Sequence, residues 1–205
     1  MQVHSFLDSD TETYTHVLAD TEQRLCAIVD PVLNFDAKSG RTNTSSVDEV
    51  IEFVREQEWT LRYIIETHAH ADHLSAAIHV KESLGGQLVI GQHITEVQKI
   101  FKQIFNFDTS FRTDASQFDI LTDEGETLEL GNITITAQKK LNRLILHVID
   151  NGDGQSNTVS TGFGIGMSNT KARLDAMFNG DYEISISDNE QQGTTVTISV
   201  PFENL

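Results

Sequence analysis

The stretch Thr67-His68-Ala69-His70-Ala71-Asp72-His73 places three histidines and one aspartate within six positions, directly after the mostly apolar run Leu61 to Ile65. Imidazole nitrogens and a carboxylate suit zinc or iron, and a tight turn lets His68, His70, Asp72 and His73 converge on a small volume. Metal binding is the chemistry such a set supports. His93, at the end of the run QLVIG, is open to a ligand role or a structural one. Cys26, the only cysteine, sits in LCAIV and reads as a buried small hydrophobe rather than a nucleophile; one cysteine excludes an intramolecular disulfide.

Regular elements must position these groups. TYTHVLAD and RLCAIVDPV form a strand pair across the turn Asp20 to Gln23, and the polar stretch Asn34 to Ser45 then loops out. Ser46 with Glu49 makes a capping box, and Val47, Val50, Ile51 and Val54 follow at helical spacing. LRYIIE reads as a buried strand ending at Thr67, which places the histidines where a strand gives way to a loop or helix, the end at which ligands gather in open α/β sheets. A helix from about Ala71 to Leu84 stops at Gly85-Gly86, QLVIG is a strand, and a helix from Thr95 carries Val97, Ile100, Phe101, Ile104 and Phe105 on one face. ETLELGNITITA reads as a hairpin turning at Gly131-Asn132. RLILHVID is a strand, Asp150 to Gly166 is rich in glycine and small polar residues, Met167 to Phe178 is a helix, and YEISISD with TTVTISVPF close as a terminal hairpin.

Composition narrows the partners. The 205 residues, 38% hydrophobic and 22% charged, fit a globular chain of one sizeable domain or two small ones. A formal net charge of −17 repels polyanions, so nucleic acid is not an expected partner. No run approaches the roughly 20 apolar residues of a membrane helix, and MQVHSFLDSDTET lacks the features of a signal peptide. The expected location is cytoplasmic, with a metal or small molecule as partner and an oligomer left open.

TYTHVLAD, AIVDPV, ETHAHADHLSAA, GGQLVIGQHI, FRTDASQFD and DEGETLELGN together carry a resemblance of residues 1 to about 131 to the N-terminal half of the metallo-β-lactamase superfamily, within it the persulfide dioxygenase and glyoxalase II-like branch. The resemblance implies that His68 and His70 bind one metal and Asp72 and His73 another in binuclear zinc members. In the dioxygenases, a mononuclear Fe(II) takes the residue matching His68 with a histidine and an aspartate from later in the chain. This sequence lacks the Pro-Gly-His-type turn and acidic ligand expected after the LELG element, so one of the three iron ligands is matched. His147, Asp150 and Asp153 are the groups beyond residue 131 open to recruitment.

Asp150-Asn151-Gly152-Asp153-Gly154 alone reads as a turn, and GFGIG alone is a weak signal. In combination, HVIDNGDG, TGFGIGMSNTKARLDAMF and GTTVTISVPF resemble the C-terminal half of the GHKL ATPase domain of sensor histidine kinases. That resemblance implies an adenine contact at Asp150 and a nucleotide-binding loop built on Gly152, Gly154, Gly162, Gly164 and Gly166, where backbone N–H groups at a helix start meet phosphates. The earlier helix that supplies an asparagine for Mg²⁺ is absent, and so is a phosphoacceptor histidine box.

The expectation is an α/β layered sandwich in which a metallo-β-lactamase-like half, 1–131, is completed by an ATPase-like half, 132–205, in one continuous folded unit. Its function follows in three versions. The first is a recombined or engineered chimera with a remnant metal motif and incomplete activity of either parent. The second is a working metal-dependent hydrolase or persulfide dioxygenase using Zn or Fe(II), with ligands recruited from the second half. The third is a module that binds ATP or ADP. A single divergent natural family is the competing account of the whole chain.

Overall fold

Gln2–Asp8, whose polar texture carries no strand signal, forms β1 and pairs antiparallel along its full length with β2 (Thr13–Asp20). Its burial alternates, with Phe6 packed against the core and its neighbours exposed. β2 pairs antiparallel with β3 (Leu25–Val29), and the connecting turn is held by the Asp20 carboxylate, which accepts from the N–H groups of Glu22 and Gln23. The strands β6 (Thr60–Ile65), β8 (Gln87–Gly91) and β9 (Ile120–Thr122) then add in parallel, giving a six-stranded sheet in the order β1-β2-β3-β6-β8-β9. This computed structural model describes residues 1–151, 165–189 and 193–202. The chain divides into two compact units, Met1–Asp123 and Glu124–Leu205.

Helices α1 (Ser45–Glu56) and α2 (Ala77–Leu84) cover the first sheet. Val47, Val50, Ile51 and Val54 are at most 3% exposed against Val17, Ile28 and Ile64, as their spacing predicts, and each such burial contributes roughly 1.5–3 kcal/mol. The helix start differs from the expected capping box. Thr44 is the N-cap, and Ser46 lies inside the first turn, where its hydroxyl donates to buried Asp8. Asn34 reaches across instead: its side-chain oxygen accepts the Ser46 N–H at 2.9 Å while its amide donates to Asp8 at 2.9 Å. A long-range partner has replaced the local one because it satisfies the helix terminus and a buried carboxylate together. Burial alone would push the Asp8 carboxyl up, but hydrogen bonds from Thr11, Ser46 and Asn34 outweigh it and hold the pKa below its ordinary value.

Three further segments depart from the sequence reading. Asn34 to Ser45 is not one open loop: β4 (Val32–Asp36) and β5 (Arg41–Asn43) pair as a hairpin, with Gly40 at φ 67° in its turn. The helix expected from Ala71 begins only at Ala77, because Leu74–Ser75 forms β7 against β4. Helix α3 (Ile94–Ile104) buries Ile94 and Gln98, but Ile100, Ile104 and Phe105 are 53%, 68% and 58% exposed. Periodicity marks an apolar face; it does not specify what covers that face.

The second unit holds a five-stranded antiparallel sheet, order β10-β11-β12-β14-β13. Its strands are β10 (Thr127–Leu130), β11 (Ile133–Lys140), β12 (Arg143–Asp150), β13 (Glu183–Asp188) and β14 (Thr194–Pro201), with α4 (Ile165–Phe178) between β12 and β13. The register sets Ile135, Val148, Val196 and Ile186 in one lateral row and Thr136, His147, Thr197 and Ser185 in the next, an apolar face and a polar one. The hairpin turns at Gly131, φ 63°, as expected. The unit boundary at 123/124 lies before the 131/132 boundary of the sequence motifs, because β10 pairs with β11 and the latter division would separate one hairpin.

Two outcomes follow from the first unit. Cys26 is fully buried, and burial pushes its thiol up to about 12. A thiol-exchange reagent at pH 8 is expected to find no reactive thiol in the folded chain and one in denaturant. Asp8→Ala should lose about 2 kcal/mol in urea unfolding at pH 7 by leaving buried donors unpaired. Since the folded pKa is depressed, this contribution is present above the unfolded value and lost as pH falls through the folded one, so the gap between variant and wild type should narrow below about pH 4.

Candidate metal centre

Parallel pairing sets Val29 of β3 against Ile65 of β6, so the next residues, Asp30 and Glu66, leave the sheet side by side at its carboxyl end. Asp30 takes a positive φ of 50°, an uncommon state for a residue with a side chain, and its N–H donates to Ile65 O at 2.9 Å. From there its carboxylate accepts the Thr67 N–H at 2.8 Å and the Thr67 hydroxyl at 2.7 Å. Glu66, 5% exposed, is anchored by its own N–H to Val89 O and by the Ser75 hydroxyl, which in turn accepts the Ala77 N–H at the start of α2.

These carboxylates decide which imidazole nitrogens are free. With its one proton committed to Asp30, the Thr67 hydroxyl at 2.7 Å accepts from His68 Nδ1, leaving His68 Nε2 with a bare lone pair. His70 Nε2 lies 2.8 Å from Glu66 Oε2 and 3.1 Å from Asp30 Oδ1, acceptors only, so it carries the proton. His73 Nδ1 donates to the Leu74 carbonyl at 2.9 Å, which leaves its Nε2 bare as well. His70 Nδ1 is buried without a hydrogen-bond partner, and Asp72 Oδ1 stands 3.8 Å away.

The rings stack closely: His68 and His70 centroids are 4.2 Å apart, His70 and His73 4.1 Å. Ligand atoms of Asp30, His68 and His70 lie within 4.8 Å of one another, as do those of His70, Asp72 and His73. The hydrogen bond to Glu66 raises the His70 pKa; burial opposes it, and the charges of Glu66, Asp30 and Asp72 add to it. Asp72 is held low by its own backbone N–H and by the neighbouring imidazoles. Bare nitrogens on His68 and His73, the orphaned buried Nδ1 of His70 and the ionised Asp72 carboxylate are donors that suit zinc or iron(II).

His68 and His70 share one group of possible ligand atoms with Asp30, and His70, Asp72 and His73 form a second, so that His70 links the two. His93 stands apart at the N-cap of α3, its side chain 80% exposed and 3.6 Å from Glu96. His147 lies in the second unit, bonded to Thr197 at 3.0 Å. Asp150 ends β12, where a side chain at Gly193 would collide with its carbonyl at 1.8 Å. Gly166 lies in the first turn of α4, and Gly152, Asp153, Gly154, Gly162 and Gly164 fall outside the described residues. Sequence reasoning passed over Asp30, Glu66 and Thr67. Their signal was there, in the ends of the two runs AIVDPV and LRYIIET, but it became readable only with the parallel register.

The fold is that of an α/β protein with two groups of side chains able to hold a metal ion at the carboxyl end of a parallel strand pair. Residues 15–136 match the family described as the Metallo-beta-lactamase superfamily, and the chain belongs to that family. Residues 115–204 match the family of histidine kinase-, DNA gyrase B- and HSP90-like ATPases. A protein of Burkholderia pseudomallei named a probable metallo-hydrolase is 46% identical over 137 residues, 67% of this chain and 47% of its own. Glyoxylase B2 of Dictyostelium discoideum is 36% identical over 135 residues, 65% and 46% of the two chains. The chain therefore spans less than half the length of these relatives. A metallo-beta-lactamase structure from Staphylococcus aureus superposes with TM-score 0.52 at 15% identity, over 76% of this chain and 40% of that one, and so shares the fold. Among the described residues no helix is long and apolar enough to cross a membrane.

The Glu66–His70 contact has a sign that titration can read. A raised folded pKa means the contact stabilises fully below the unfolded value of about 6.5 and is lost as pH rises through the folded value. In metal-free protein, Glu66→Gln should move the His70 imidazole titration downward by NMR; an unmoved titration would show that Glu66 does not hold this ring.

Proposed function

We propose that this chain binds zinc or iron(II) through His68 Nε2, His70 Nδ1, Asp72 and His73 Nε2, and serves as a metal-dependent hydrolase of small molecules in the glyoxalase II-like branch of its superfamily. One observation carries this reading: both carboxylates hold the His70 Nε2 proton, which leaves Nδ1 buried, unpartnered and beside Asp72. Outer carboxylates that fix a ring's tautomer in this way are the usual support of a metal ligand. The names of the relatives, a probable metallo-hydrolase and a Glyoxylase, support the same class.

When bound, the metal supplies Lewis acidity and lowers the pKa of a coordinated water. The chain's own residues do the rest. Asp30 and Glu66 orient His70, Thr67 orients His68, and the Leu74 carbonyl orients His73.

A second reading rests on the ATPase-family match over 115–204, which overlaps the other match by its last residues. It is that two lineages meet in one recombined chain, 1–131 and 132–205 forming one continuous fold, with an adenine subsite at Asp150 and a phosphate loop of Gly152, Gly154, Gly162, Gly164 and Gly166. ATP or ADP binding by wild type and not by Asp150→Asn would support it.

Metal analysis after reconstitution tests the first reading. Wild type should retain zinc or iron(II), and the His68→Ala/His70→Ala variant should lose affinity at least about 10-fold, with Glu66→Gln weakened by roughly 10- to 100-fold. Metal-dependent turnover of a thioester, lactam or glutathione persulfide should accompany it. Equal metal content in wild type and the double variant would sink the assignment.

A further inference from the structure

Beside the histidine cluster opens a cavity of ≈ 370 Å³, walled by residues from α2, β8, α3 and the segment 111–118. That size lies within the roughly 300–1,000 Å³ of small-molecule sites, and an apolar cavity of about 150 Å³ already accepts benzene. Resting on the metal-centre reading above, we infer that this cavity is a subsite for the uncharged, apolar arm of the substrate, an acyl or aryl chain whose reacting group points to the histidines.

The wall chemistry carries the inference. Ile90, Ile94, Val97, Phe101 and Phe118 make its apolar surface. Its two amides are occupied with the protein itself. Gln98 Nε2 donates to Gln117 Oε1 at 3.1 Å and Gln98 Oε1 accepts the Ala115 N–H at 3.0 Å, while Gln117 Nε2 donates to Arg112 O at 2.9 Å. The Ser75 hydroxyl serves Glu66. Away from the histidines, these polar side chains are thus already spoken for, so the walls favour a ligand arm that asks for no hydrogen bonds.

Charge points the same way. Among the described lining residues none is lysine or arginine, and Glu66, the carboxylate among them, repels an anion. Of the cations on the surrounding elements, Lys81 pairs with Asp119 at 2.5 Å, Arg112 with Asp114 at 3.0 Å and Lys102 with the Phe111 carbonyl at 2.5 Å, while Lys99 is exposed on α3 and does not line the cavity. A carboxylate or phosphate tail would lose its hydration here without gaining a counter-charge. A row of rings continues from the cavity to the surface, with Phe101–Phe105, Phe105–Phe107 and Phe107–Phe111 centroids 5.5, 5.6 and 4.8 Å apart, which gives a longer apolar chain a path outward.

The test uses metal-free full chain and the neutral fluorophore N-phenyl-1-naphthylamine. Saturable one-to-one binding is expected in wild type. It should be reduced at least 10-fold in Val97→Trp, which fills the cavity, and in Ile78→Trp at its exposed lip, while the surface variant Ile104→Ser should bind as wild type does. At pH 8, octanol should displace the probe at a concentration at least 10-fold lower than octanoate. Absence of saturable binding, wild-type binding by both tryptophan variants with unchanged circular dichroism, or equal competition by octanoate would each overturn the subsite. Loss of zinc binding with probe binding intact overturns the metal reading alone.

Discussion

A buried imidazole held between two carboxylates governs the first unit's chemistry. His70 and Glu66 side chains are each 5% exposed, in surroundings where an unpaired charge would be costly, and their contact at 2.8 Å is tolerable only because each has further partners. Asp30 reinforces His70 from the adjacent strand, and Ser75 ties Glu66 to the start of α2. The strand register, the unusual backbone of Asp30 and the late start of α2 are all coupled to this cluster. Were α2 to begin at Ala71, as local signals allow, Leu74 and Ser75 could not pair with β4, and Ser75 would leave Glu66.

That constraint also explains how a histidine-rich loop gains directionality. Four potential ligands in a flexible segment would sample many tautomers and orientations. Here three acceptors, the Thr67 hydroxyl, the Glu66–Asp30 pair and the Leu74 carbonyl, each take one ring proton, and the opposite nitrogen of each ring is left bare. Hydrogen bonds within the protein orient these rings, and donors fixed in this way reduce the reorganisation that metal binding requires. On one side this set meets an apolar cavity whose own amides are mutually satisfied, which separates the polar reacting end from the apolar walls.

Much of the fold was readable in the sequence because it depends on short-range periodicity. The helical spacing of Val47, Val50, Ile51 and Val54 identified α1 and its buried face, and the β-rich run TYTHVLAD and the terminal-hairpin run TTVTISVPF identified β2 and β14. The misses share a cause. Asn34 displaced the expected capping box from across the fold, β7 displaced the first turn of α2, and Ile100, Ile104 and Phe105 stayed exposed on α3 despite their common face. In each case a partner distant in sequence, or the lack of a cover, overrode the local preference.

The same division holds for the candidate site. Sequence by itself determined the ligand types, since His68, His70, Asp72 and His73 lie on one short turn after a buried strand, and covalent proximity suffices to bring them together. Tertiary structure decided which nitrogen of His70 is free, because that depends on Asp30, which is 40 residues from His70 in sequence and adjacent to it only through the parallel pairing of β3 with β6. It also decided the cavity beside them, whose walls come from elements dispersed between Glu66 and Phe118, so no local pattern could have announced its size or its lack of cations.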